Sequence, residues 1–246
     1  MLRKGLTLFW LLLPAPAPAL ADIGSTAECE AAIASDPQLA REEAGQWARS
    51  GGGVPAKICE AAALEALGAT ATAARLLSSV AENPSRAMPR DLRVVLFEDS
   101  AGLWLDAGQP GLALASLDRA SQLSPTDPQR LRLKARVMAA AGDWAGATDA
   151  LNQLIAERPR DAGAHALRAA TLRHDEMHVE ALWSAQAALR ISPELPEGLF
   201  EAGAASVDLD DLSSARDYWL KLIKLYPDHA LATPARRNLA ALERGS

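Results

Sequence analysis

Residues 128–161 read PQRLRLKARVMAAAGDWAGATDALNQLIAERPRD, and the same 34-residue layout recurs around them. Pro125, Pro159, Pro193 and Pro227 stand 34 residues apart, each closing one copy. With the proline at position 32, copies start at Val94, Pro128, Ala162 and Pro196. Position 8 is then Ala101, Ala135, Ala169 and Gly203, and position 20 is Ala113, Ala147, Ala181 and Ala215. Small residues at both places let two helices approach closely. Position 24 is Leu117, Leu151, Ala185 and Trp219, and position 27 is Ala120, Leu154, Ala188 and Leu222. Positions 20, 24 and 27 share one helical face. Gly108 and Gly142 at position 15 suit the residue after a helix C-terminus. Asp143 suits a helix cap and Pro110 a first turn. Each position-32 proline stops the second helix, because it disfavours helix at the residue before it. A period of this length predicts an array of helix–turn–helix units.

Small residues at positions 8 and 20, glycine at 15, an apolar residue at 24 and proline at 32 resemble the tetratricopeptide repeat (TPR) family. The resemblance covers about 54–227 and implies an all-α, right-handed TPR solenoid of antiparallel helix pairs. About five repeats are expected, starting near 54, 94, 128, 162 and 196. Two positions depart from the family. Position 7 is Ser100, Lys134, Arg168 and Ala202 in place of leucine, and position 4 is Phe97, Leu131, His165 and Leu199 in place of tryptophan. The first repeat is degenerate, and 41 residues separate Pro84 from Pro125, so a longer connection is expected near Arg86 and Pro89.

Flanking segments frame the array. Residues 22–53 read as an N-terminal helical extension, opened by Asp36-Pro37 and stopped by Gly51-Gly52-Gly53. Residues 228–246 read as a C-terminal capping helix begun by Thr233-Pro234. Residues 1–21 carry Arg3 and Lys4, an apolar run from Leu6 to Leu13, and Ala19-Leu20-Ala21. That is the pattern of a signal peptide, with cleavage expected before Asp22 and the periplasm as destination. The run is far short of the ~20 residues a membrane helix needs, so no integral membrane segment is expected in the mature form.

An oxidising compartment changes how Cys29 and Cys59 read. An isolated pair there points to a disulfide, with two independent buried thiols as the alternative. The formal net charge of −6, without a basic stripe, argues against nucleic acid. His174-Asp175-Glu176-Met177-His178 places the glutamate wrongly for a zinc motif, and the repeat register puts the inter-helix turn between the histidines. No phosphate loop, nucleophile motif or cofactor signature is present, so catalytic residues, metals and cofactors are not expected.

The resemblance implies that positions 2, 5, 9, 12 and 13 of each first helix line a partner-binding groove. Carried over, it supplies Arg132, Arg136, Arg173, His174 and Phe200. Arginine forks suit carboxylates, so a protein or peptide with an acidic segment is the expected ligand. The asparagine that chaperone-tail clamps need at position 9 is replaced by Gly102, Arg136, Ala170 and Ala204. The expected function is a non-enzymatic adaptor for an envelope complex, with a self-associating scaffold as the alternative.

Overall fold

The computed structural model describes residues 23–85, 88–125 and 127–245. The signal-peptide reading of 1–21 and the connection at Arg86 and Ala87 lie outside these residues. Helices are joined by short turns, and no strand occurs among the described residues. By backbone contacts the chain divides into two units, split between Ala66 and Leu67.

The N-terminal unit comprises α1 (Thr26–Ser35), α2 (Pro37–Trp47) and α3 (Gly53–Ala66). Asp36 caps α2, its carboxylate accepting from the amides of Gln38 (3.0 Å) and Leu39 (3.1 Å). Between α2 and α3 the backbone widens into a turn over Ala48–Gly52, where Gly51 takes φ 104°. Gly52 lies under the Trp47 indole, where a Cβ would come within 2.5 Å of the ring. The core is small: Ile23, Cys29, Ala32, Ala40, Cys59 and their neighbours, with Ile33 and Trp47 at the edge. Cys29 and Cys59 are bonded (S–S 2.04 Å, Cα–Cα 5.9 Å), which ties α1 to α3.

The larger unit begins with α4 (Thr70–Glu82), which packs on α5. Four antiparallel pairs follow: α5 (Arg90–Asp106) with α6 (Pro110–Leu123), α7 (Pro128–Ala140) with α8 (Trp144–Glu157), α9 (Ala162–His174) with α10 (His178–Ile191), and α11 (Pro196–Asp208) with α12 (Leu212–Leu225). The last helix, α13 (Ala232–Gly245), packs on α12. Asp127, Asp143, Asp161 and Asp211 each cap a helix by accepting backbone amides in its first turn. The tight turns use left-handed residues: Gly108 (φ 69°) and Gly142 (φ 79°) early, then Glu176 and Asp210 at φ 60° without glycine.

Alanines at positions 8 and 20 are fully buried where the paired helices cross. In the last pair sizes are exchanged across the contact. Position 24 is Trp219, 2% exposed, and position 8 shrinks to glycine; a Cβ on Gly203 would lie 2.4 Å from the indole nitrogen. That nitrogen donates to the Phe200 carbonyl at 3.1 Å. Position 7, leucine in the family pattern, carries polar groups that find partners. Ser100 donates to the Ala74 carbonyl (3.0 Å) and lies within hydrogen-bond reach of Ser78 and Ser116. Arg168 donates to Ser184 Oγ (2.9 Å) and Asn152 (3.0 Å). At position 7 the Ser100 hydroxyl and the Arg168 guanidinium are therefore satisfied, whereas the fully buried Ser206 hydroxyl finds no partner among the described residues.

Candidate partner-binding groove

First helices lie beside first helices, α5 with α7 and α9 with α11. Charged side chains bridge them. Arg130, only 3% exposed, donates from Nε to Glu98 of α5 (2.5 Å), and its Nη1 reaches the carbonyls of Ser124 and Pro125 (both 3.0 Å). Arg132 pairs with Asp161 at the start of α9. Arg173 pairs with Glu201 of α11 (3.2 Å) and approaches Asp208 (4.0 Å). A ladder of ion pairs thus runs from repeat to repeat along the row.

This ladder alters the groove that the sequence resemblance supplies. Two of its three arginines, Arg132 and Arg173, are already neutralised by carboxylates of the fold. Arg136 is exposed and makes no ion pair among the described residues. Two aromatic groups belong to the first helices that follow, His174 to α9 and Phe200 to α11. His174 stacks on Trp144, ring centroids 4.3 Å apart and planes 13° from parallel. Phe200 is half-buried and meets Trp219 at 6.4 Å in a tilted arrangement.

The titratable groups follow their surroundings. Partial burial and the neighbouring Arg173 charge push His174 below its usual value, against a smaller pull from Asp208, so the stacked ring is neutral near pH 7. Burial pushes Glu201 above the ordinary carboxylate range and Asp208 adds to this, while Arg173 opposes both. His178 Nδ1 sits 3.5 Å from Asp208. His174 closes α9 and His178 opens α10, so the two histidines belong to different helices.

Asp161 does two jobs, pairing with Arg132 and accepting the Ala164 amide at 3.0 Å. Burial works against its ionisation, but the Arg132 and Ala164 hydrogen bonds and the charges of Arg132 and Arg158 outweigh it and lower its pKa. A depressed carboxylate stabilises the fold above its unfolded pKa of about 4, and the contribution is lost as pH falls through the lower folded value. Asp161→Ala is expected to cost about 1 kcal/mol at pH 7 through the lost cap alone. Urea midpoints for wild type and variant should converge as pH drops below about 4. A gap that persists unchanged in acid would show that the carboxylate charge contributes nothing.

Sequence reasoning missed Arg130, which the fold buries, and Trp144. The stacking of Trp144 on His174 joins residues 30 apart in sequence, and only the three-dimensional turn of one repeat on the next brings them together.

Comparison with known proteins agrees with this architecture. Residues 105–171 match the tetratricopeptide repeat profile. Three solved TPR structures that resemble the chain show the same fold. The ArsTM double mutant of MamA RS-1 aligns at 21% identity and TM-score 0.58, over 68% of this chain and 90% of that one. YrrB, described as a TPR protein with an unusual peptide-binding site, aligns at 17% identity and TM-score 0.56, over 80% and 99%. The APC/C hetero-tetramer Cut9–Hcn1 aligns at 14% identity and TM-score 0.60, over 88% of this chain but 43% of that one. No curated protein matches the chain. The fold is a TPR solenoid.

Proposed function

We propose that this TPR chain is a non-enzymatic adaptor of the periplasm, binding a protein partner through the row of first helices to assemble or regulate an envelope complex. The observation that carries the reading is the construction of that row. Ion pairs fix its helices to one another, yet Arg136 and the stacked His174–Trp144 pair are left for a ligand. A surface held this way loses little conformational freedom on binding. Peptide binding by YrrB, a TPR neighbour, supports a peptide or protein as the ligand. The leader-like pattern of residues 1–21 and the Cys29–Cys59 bond support export. Among the described residues no helix is long and apolar enough to cross a membrane.

Because Arg132 and Arg173 are paired within the fold, Arg136 is the groove cation that meets an acidic side chain of the partner. Wild type and Arg136→Glu, used side by side as baits in envelope extract, test this. The partner retained by wild type should fall at least tenfold with the variant, at unchanged helicity. Equal recovery moves the contact off the groove. The scaffold reading rests on a different observation, the exposure of Trp183 (64%), Val179 (44%) and Leu212 (44%). A concentration-dependent mass for the bait protein alone would favour it.

A further inference from the structure

We propose a second binding site on the opposite side of the first helix pairs: a cleft between α4 and α6 that takes an acidic segment of a protein partner. It rests on the protein-binding reading for the nature of its ligand, but on other residues and another surface.

The cleft is built from two helix faces and a floor. On α4, Arg75, Ser78, Ser79 and Glu82 follow helical spacing and point to one side. On α6, Leu112, Ser116 and Arg119 do the same. Phe97 and Trp104 of α5 close the bottom. This part has a volume of about 270 Å³. A second part of about 350 Å³ shares Glu82, Phe97 and Arg119 with it and extends to Arg93 and Gln122. Together they fall in the size range of ligand sites.

A departure from the repeat pattern helps make this space. Position 7 of the second repeat is Ser100, where the family carries leucine. Ser100 is fully buried and links Ser78 to Ser116 through hydroxyls, with its own donor to the Ala74 carbonyl. Ser100 lies behind the lining, and the two hydroxyls it joins, Ser78 and Ser116, line the cleft. The cleft therefore carries the Ser78, Ser79 and Ser116 hydroxyls on its walls above an aromatic bottom of Phe97 and Trp104.

Charge names the ligand. Three guanidiniums line the cleft against one carboxylate, in a chain whose net charge is −6. Arg75 lies over the Trp104 ring, 5.8 Å from its centroid. Arg93 donates from Nε to the Ala81 carbonyl at 3.0 Å, which fixes its fork. Neither these two nor Arg119 makes an ion pair among the described residues. The contrast with the groove is sharp, since there Arg130, Arg132 and Arg173 are each met by a carboxylate. Unneutralised forks gathered round a cleft are matched by carboxylates, which accept two donors each. Arg75 and Glu82 are two turns apart, roughly 10 Å along the helix. An extended peptide covers that with about three residues. Exposed Leu112 on the rim offers an apolar side chain of the same segment a place to rest.

A fluorescein-labelled peptide of glutamates flanking one leucine, with its glutamine analogue as control, tests the site by anisotropy at low and moderate salt. Wild type should bind the glutamate peptide and not the analogue, with affinity falling as salt rises. Arg119→Glu should weaken binding at least tenfold, and Arg75→Ser with Arg119→Ser should do the same without adding a negative charge. Arg119 has no hydrogen bond among the described residues to lose, and an unchanged melting curve confirms that each variant is folded. Arg237→Glu, exposed on α13 and outside both surfaces, should leave the peptide affinity unchanged. The proposal is overturned by no binding to wild type, by binding to both Arg119 variants as tight as to wild type, or by a loss of the same size with Arg237→Glu. Displacement of the peptide by an equal concentration of inorganic phosphate would also overturn it, by showing a site for small anions. Failure of the extract experiment with Arg136→Glu leaves these outcomes untouched, so the two readings fail separately.

Discussion

Replacing Cys29 and Cys59 together with serine is expected to cost the N-terminal unit about 3–4 kcal/mol, from the loop-closure entropy of a chain of this separation. The bond spans 30 residues and joins the first helix of the unit to the third. Little else holds these helices. Their buried core is mostly alanine, whose side chains remove little apolar area from water. Units this small draw much of their stability from covalent links. The loss should be local. Hydrogen exchange on the full-length chain should show the amides of α1–α3 opening in the double variant or in reductant, with those of α7–α12 unchanged. Protection of α1–α3 that survives reduction would show that the bond adds nothing.

Trp219→Ala is the second large effect, expected at about 3–5 kcal/mol for a buried tryptophan truncated to a cavity. The indole is 2% exposed and gathers Leu199, Leu222, Ala232 and Ala235 around it, which connects α11 and α12 to α13. It also leaves the Phe200 carbonyl without its donor. The reciprocal change tests the size exchange directly. Gly203→Ala alone should destabilise by about 1–3 kcal/mol, as extra volume is forced into a packed contact. Gly203→Ala with Trp219→Leu restores the alanine–leucine pair of the second and third repeats, and should cost less than the two single changes added together. Additive losses from urea unfolding would mean that the two positions do not sense each other.

The proline spacing and the small residues at positions 8 and 20 made the helix pairs legible, because each reports a local constraint: where a helix ends and how closely another can approach. The cysteine pair was legible for a similar reason, since only two thiols exist to be matched. The groove was legible in part. Register says which face Arg132 and Arg173 occupy, but not that Asp161 and Glu201 of the following repeat lie beside them. That depends on the stagger between repeats, set by packing and not by any one position. Ser100 was visible as a break in the pattern. Its effect was not, because an open cleft is a property of the distance between α4 and α6, and that distance has no signature in either helix alone.

The position of the disulfide also orders events in time. A chain made or threaded N-terminus first presents Cys29 and then Cys59 while every residue from α4 onward is still to come. The bond can close on a nascent chain that has yet to form a single complete repeat pair of the larger unit. There is no third thiol to capture either partner, so oxidation within the chain has one product and needs no reshuffling. The N-terminal unit can therefore be closed, and locked, before the larger unit exists.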